Sequence, residues 1–134
     1  MSEPVWIDKT ALMLLHAEAL AEHGGLEGTR DMGLLESALA RPRNLYDCEG
    51  TAEIPRLAAA YSIGIARNHP FADGNKRTSF IALALFLALN GLRLEADQVE
   101  AVRVIVDVAA GTMDEEWLAF WIANHFVPVK KPSR

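Results

Sequence analysis

Hydrophobic and polar positions follow a helical period over nearly the whole chain. Apolar residues recur at helical spacing after Asp8, which predicts a first helix capped by Asp8 and ended by Gly24 and Gly25. The same spacing after Asp31 predicts a second helix. Pro42 should stop this second helix, because proline lacks the amide hydrogen that a helix interior needs.

Residues 42–54 carry no helical stripe of apolar positions. They predict a loop or a short hairpin that turns near Glu49 and Gly50. Pro55 suits the first turn of a helix, where a missing amide hydrogen costs nothing. A third helix is therefore predicted from Pro55 to about Asn68.

The fourth predicted helix runs from Asn75 to Leu89 and ends at Asn90 and Gly91. Its apolar residues cover every face of the helix. A helix that is hydrophobic all round is normally buried. We therefore expect this helix to be the central one, surrounded by the others.

Two more helices complete the pattern. Asp97 can cap a fifth helix that extends to Ala110. Thr112 followed by Glu115 is a capping-box pattern for a sixth helix. The predicted fold class is all-α, a compact bundle of about six helices around a buried central helix.

Length and composition fit a single domain over residues 1–134. The chain is 51% hydrophobic and 23% charged, as in ordinary globular proteins. Its last residues, from about 128 to 134, are basic and interrupted by proline, and they predict a flexible tail. The net charge of -5 makes direct nucleic-acid binding unfavourable, because the phosphate backbone is also negative.

Targeting and cysteine signals are weak in this sequence. The longest apolar run, from Phe80 to Leu89, is shorter than the ~20 residues that span a bilayer. The amino-terminal residues do not resemble a signal peptide. We therefore expect no membrane association and a cytoplasmic protein. The single cysteine, Cys48, rules out an intrachain disulfide and a thiolate metal cluster.

One place in the sequence contradicts local preference. The predicted fourth helix begins with Asn75, Lys76 and Arg77, which puts two cations at the positive end of the helix dipole. A bound anion would resolve this conflict, since a helix start offers free amides and Gly74 allows close approach. Lys76 and Arg77 would add charge and directed hydrogen bonds. The alternative is that both side chains simply extend into water.

Two further polar residues precede this helix. His69 has a side chain whose ordinary pKa suits proton removal near neutral pH. Asp73 is a carboxylate of the kind that holds Mg²⁺ beside phosphates. Each has a structural alternative, because His69 could complement a helix end and Asp73 could cap a helix. Their coincidence with the anion cradle favours a phosphoryl-transfer site.

The histidines outside this run are weak candidates for a metal site. His16 and His23 lie seven residues apart on the first predicted helix, and His125 lies near the end of the chain. We interpret all three as structural or surface histidines.

The run from His69 to Arg77, His-Pro-Phe-Ala-Asp-Gly-Asn-Lys-Arg, resembles the signature of the Fic/Doc family and specifically of its Doc (death-on-curing) toxin branch. Residues 23–31 and 34–39 also resemble the amino-terminal region of Doc-type proteins. The resemblance thus covers most of residues 5–127. It implies a Fic/Doc-type helical bundle with a short flap.

The resemblance implies a role for each residue of the run. His69 would be the general base that deprotonates a target hydroxyl, and Asp73 would hold Mg²⁺. Lys76 and Arg77 would also act in catalysis as a charge clamp. The residues implied to bind the phosphates of ATP are Gly74, Asn75, Lys76 and Arg77. The segment 42–54 matches the place of the family's flap, which aligns a target segment by strand addition.

Two positions depart from the AMP-transferring Fic pattern. That pattern has Gly in place of Lys76 and a second Arg in place of Phe80. Both differences match Doc, which implies a kinase that transfers the terminal phosphate of ATP to a threonine or serine of elongation factor Tu. Two alternatives remain open: AMP transfer to a protein, and a catalytically silent nucleotide-binding or scaffold module.

Control by a partner also follows from the resemblance. The family's self-inhibitory helix has Ser or Thr, then Glu four residues later, then Gly or Asn. Thr112 and Glu116 give the nearest match, but Trp117 follows, so we score the helix as absent. The resemblance then implies a type II toxin restrained by a Phd-type antitoxin, whose disordered tail would fold on binding.

Overall fold

The computed structural model describes residues 3–129 of the chain. The elements in chain order are α1 (Lys9–His23), α2 (Met32–Glu49), α3 (Ile54–Asn68), α4 (Asn75–Leu89), β1 (Leu92–Leu94), α5 (Gln98–Ala110), α6 (Glu115–Ala123) and β2 (Phe126–Pro128). The predicted class, a bundle of about six helices, is confirmed. No helix in the described range is both long and apolar enough to cross a bilayer.

Three helices begin at the capping residues that the sequence predicts. Asp8, Asp31 and Asp97 cap α1, α2 and α5, and each carboxylate accepts a backbone N–H of the first turn. Such a cap satisfies one of the amides that a helix start leaves free.

The predicted capping box of the sixth helix is wrong. Asp114, not Thr112, caps α6, and its carboxylate accepts the amide of Trp117 at 2.8 Å. The Thr112 hydroxyl instead donates to the carbonyl of Asp107. The reason is that α5 ends at Gly111 in the left-handed conformation, and Thr112 is still part of that ending.

The predicted stop at Pro42 is wrong, because α2 continues through this proline to Glu49. Pro42 can give no hydrogen bond to the carbonyl of Ala38. Tertiary packing offsets this loss. Pro42 and Ala38 are both buried, and a Cβ atom on Gly64 of α3 would lie only 3.2 Å from the Ala38 Cα.

The expected flap over 42–54 is correspondingly reduced to the loop 50–53. The turn predicted near Glu49 and Gly50 is the end of α2. Gly50 adopts the left-handed conformation, and its amide bonds the carbonyls of Leu45 and Tyr46.

The central helix is α3, and the expectation that α4 would be surrounded is wrong. Every residue from Leu57 to Ala66 is buried, and α3 packs against α2, α4, α5 and α6. Its small residues allow neighbours to approach on several sides. By contrast, Ala88 and Leu89 of α4 are exposed. The apolar surface of α4 thus exceeds what its neighbours cover.

The two short strands were not predicted. They pair antiparallel, with Leu92 opposite Pro128 and Leu94 opposite Phe126. Pro128 therefore belongs to a strand, although the sequence assigned it to the tail. Residues 130–134 of that predicted tail lie outside the described residues.

Candidate active site

The loop between α3 and α4 starts at a strained residue. His69 ends α3 in the left-handed conformation, with φ 49° and ψ 55°. It is the one residue other than glycine with a positive φ in the described range. This conformation costs an L-residue roughly 1–2 kcal/mol. Such strain gathers at functional sites, where the surrounding structure enforces it.

An arginine from the α1–α2 loop holds the strained turn. Arg30 donates from Nε to the carbonyl of His69 at 2.7 Å and from Nη2 to the carbonyl of Asn68 at 2.8 Å. This role of Arg30 could not be predicted from the sequence, because Arg30 lies 39 residues from His69 along the chain.

Asn75 shapes the same loop from the other side. Its Oδ1 accepts the amide of Phe71 and its Nδ2 donates to the carbonyl of Phe71, both at 3.0 Å. The Asn75 side chain is buried and is occupied by these two bonds. Any contribution of Asn75 to anion binding therefore comes from its backbone amide in the first turn of α4.

The buried ring of Phe71 anchors the loop to α1. It stacks on His16 with a centroid distance of 3.8 Å. His16 is buried, and its Nε2 lies 2.8 Å from the carbonyl of Asp73, to which it donates. The interpretation of His16 as a structural histidine is confirmed.

The carboxylate of Asp73 is exposed and joins two backbone segments. It accepts the amide of Leu26 at 3.2 Å and the amide of Gly74 at 2.9 Å. Within residues 3–129 no group of three His, Cys, Asp or Glu side chains is placed to hold a metal ion. A Mg²⁺ ion here would depend on one carboxylate together with phosphate oxygens, a donor set that Mg²⁺ accepts.

The start of α4 is built differently from a normal helix start. Gly74 precedes it in the left-handed conformation, with φ 77°, and no side chain in the described structure caps the first turn. A Cβ atom at Gly74 would only come into ordinary contact with Leu20 and His16, so it is the left-handed backbone that favours glycine here. The free amides form the kind of cradle that binds phosphate groups.

The same first turn carries two exposed cations, Lys76 and Arg77. Neither Lys76 nor Arg77 forms an ion pair with any described carboxylate. Both also line one end of a groove of about 840 Å³ that extends along α4 to β1 and α5. The groove is largely apolar beyond Lys76 and Arg77, and Phe80 and Ala84 are part of its wall.

The structure places all six predicted site residues in one connection, the loop 69–74 and the first turn of α4. His69, Asp73, Lys76 and Arg77 are exposed, Gly74 is half-buried and Asn75 is buried. This arrangement brings an imidazole, a carboxylate, free amides and two cations into one short connection, a set of groups suited to a ligand that carries phosphate.

Comparison with known proteins identifies the family. The Fic/DOC family model matches residues 6–87. Toxin Doc from Mycolicibacterium smegmatis is 42% identical over 85 residues, which are 63% of this chain and 65% of that protein. Protein kinase doc from Escherichia phage P1 is 32% identical over 105 residues, which are 78% of this chain and 82% of that protein.

The chain therefore belongs to the Fic/Doc family, and the resemblance seen in the run from His69 to Arg77 is confirmed. Both relatives carry Doc in their names, as the resemblance to that branch implied. The matched part spans slightly less than two thirds of the mycobacterial relative.

Proposed function

We propose that this protein is a Doc-type toxin that acts in the cytoplasm as an ATP-dependent protein kinase. Its target would be a threonine or serine hydroxyl of a translation factor such as elongation factor Tu, and phosphorylation would block translation. The observation that carries the proposal is the uncapped, cation-bearing start of α4 directly after His69 and Asp73. The name of the phage relative, Protein kinase doc, points the same way.

Each residue of the site would have a separate role in phosphoryl transfer. The first-turn amides of α4, with Lys76 and Arg77, would bind the phosphates of ATP and stabilise charge that develops on them. Asp73 would hold Mg²⁺, which supplies charge neutralisation on the phosphate oxygens when it is bound. His69 would accept the proton of the target hydroxyl.

The reaction balances with these groups. The hydroxyl oxygen of the target forms a bond to the terminal phosphorus while the bond from that phosphorus to the β–γ bridging oxygen breaks. ADP leaves with the bond's electron pair, and the hydroxyl proton goes to the imidazole of His69. An exposed imidazole can then return this proton to water.

Two positions favour phosphoryl transfer over AMP transfer. Lys76 brings an additional exposed charge to the first turn of α4, where it can hold a further phosphate group. Phe80 presents an aromatic ring to the groove at the position where AMP-transferring Fic proteins carry an arginine. One turn after Arg77, this chain therefore has an apolar side chain where those proteins have a second cation.

We also propose a Phd-type antitoxin as the partner that restrains the activity. The segment Thr112–Glu116, which came nearest to a self-inhibitory sequence, forms the turn into α6, and the Thr112 hydroxyl is bonded to Asp107. Lys76 and Arg77 line one end of an open groove that is largely apolar. A disordered antitoxin tail could fold into such a groove and cover the site.

Intact-mass spectrometry of elongation factor Tu tests the activity. The factor is incubated with the protein, ATP and Mg²⁺, beside a matched reaction with His69→Ala. We expect the mass of one phosphoryl group to be added only by the unsubstituted protein. Addition of an adenylyl group would establish AMP transfer instead, and an unchanged mass would refute this target.

A further inference from the structure

Arg30 contacts three consecutive peptide groups at the end of α3 and the start of the loop 69–74. Its guanidinium donates to the carbonyls of Asn68 and His69, and its own amide donates to the carbonyl of Pro70 at 2.7 Å. The amide of Asp31 shares the Pro70 carbonyl at 3.0 Å. One residue thus determines the direction of three successive carbonyl groups.

The position of these carbonyls explains why an arginine is suited to them. Those of Asn68 and His69 lie at the carboxyl end of α3, where carbonyls lack helical partners and the helix dipole is negative. A guanidinium offers several N–H donors in a fixed plane and keeps its charge at all physiological pH values. Lysine would supply the charge without this geometry.

The arginine is part of a wider attachment of the loop 24–31 to the loop 69–74. The amide of Ala72 donates to the carbonyl of Gly28 at 3.0 Å. Asn68 in turn donates from its side chain to the carbonyl of Leu34 at 3.1 Å. The end of α3 is therefore tied to the α1–α2 loop and to α2 on both sides of His69.

We propose that Arg30 is a positioning residue for His69. It holds the peptide groups around His69 so that this residue keeps its left-handed conformation at the end of α3, where the loop to α4 begins. The inference rests on the proposed function in one respect, which is that His69 acts as the base. Arg30 itself is assigned no contact with ATP or with the target.

Steady-state kinetics of Arg30 variants can distinguish a role in positioning His69 from a role in binding ATP. Arg30→Ala should lower kcat for phosphoryl transfer by about 10- to 100-fold, because small misplacements of a catalytic group have effects of this size. The KM for ATP should stay the same, since the cradle at α4 is unchanged. Added guanidinium ion should restore part of the activity of Arg30→Ala, and Arg30→Lys should lie between Arg30→Ala and the unsubstituted protein.

Arg67→Ala is the matched control. Arg67 also donates to a backbone carbonyl, that of Met113 at 3.3 Å, and it lies two residues before His69. This bond involves none of the three carbonyls that Arg30 contacts. We expect this variant to keep the kcat of the unsubstituted protein.

The NMR chemical shifts of the His69 Cα and Cβ give a readout that needs no target protein, because they report the backbone conformation. In the unsubstituted protein they should indicate the left-handed region, and in Arg30→Ala they should move away from it. If no target is phosphorylated, the proposed function fails and the shifts still decide the inference. Unchanged His69 shifts in Arg30→Ala, or an unchanged kcat, would overturn it. If Arg30→Ala does not fold, the same two measurements on Arg30→Lys decide.

Discussion

The amino-terminal ends of α4 and α6 are built in opposite ways. Asp114 caps α6 with a 2.8 Å bond, and Glu115 and Glu116 place negative charge in its first turn. In α4 the cap position is Gly74, no side chain of the described residues caps the turn, and the first-turn charges are Lys76 and Arg77. Carboxylates stabilise a helix start and cations do not.

The two helix starts differ in whether the described chain itself supplies partners for the first-turn amides. At the start of α6, Asp114 accepts a first-turn amide and the glutamates oppose the positive end of the helix dipole. The start of α4 leaves both unsatisfied, and an anion from outside would complete it. Substitutions at His69, Arg77, Asn75 and Asp114 test this difference.

The largest effect is expected from His69. His69→Ala should reduce phosphoryl transfer by about 10²- to 10⁴-fold, the usual contribution of a general base. His69→Gly should lose the same activity and raise the free energy of unfolding by about 1 kcal/mol, because glycine adopts the left-handed conformation without strain. Urea unfolding and kinetic assays on both variants check this. A His69→Gly protein that is less stable would contradict the strain argument.

The positive charge of Arg77 should strengthen nucleotide binding and at the same time lower the stability of the folded protein. Arg77→Glu should weaken ATP binding by about 10- to 100-fold through loss of a charged hydrogen bond. It should also raise the free energy of unfolding by a few tenths of a kcal/mol through the helix dipole. The matched variant at α6, Glu116→Arg, should lower the unfolding free energy by a similar amount and leave ATP binding unchanged. Calorimetry and urea unfolding on both variants measure these effects.

Asn75→Ala should destabilise the protein by about 2 kcal/mol, because it leaves a buried backbone amide and carbonyl of Phe71 without their partners. Urea unfolding measures the loss. A change well below 1 kcal/mol would show that water replaces the side chain, and Asn75 would then not be needed to hold the loop.

Asp114→Ala should lower the free energy of unfolding by about 1 kcal/mol through loss of the cap. Transfer activity measured at a temperature where the variant is folded should be unchanged. If activity fell together with stability, the two helix starts would not be independent.

The elements that could be predicted from sequence are those set by local chemistry. Asp8, Asp31 and Asp97 cap the helices as predicted, since a cap depends on residues within one turn. The passage of α2 through Pro42 could not be predicted, because it depends on the close packing of Ala38 against Gly64 in another helix.

The same division holds for the site. The residues from His69 to Arg77 are contiguous, so their chemistry could be seen in the sequence alone. The bonds of Arg30 and of the Leu26 amide to this loop join positions 39 and 47 residues apart. They involve backbone atoms, which leave no residue pattern, and only the folded chain shows them.

A single titration compares the two helix starts directly. Backbone amide signals of the ¹⁵N-labelled protein are followed by NMR while ATP and Mg²⁺ are added. We expect the amide signals of Asn75, Lys76 and Arg77 to shift and saturate, whereas those of Glu115, Glu116 and Trp117 stay in place. Unmoved amides at the start of α4, or equal shifts at both helices, would contradict the claim that α4 begins as an anion site.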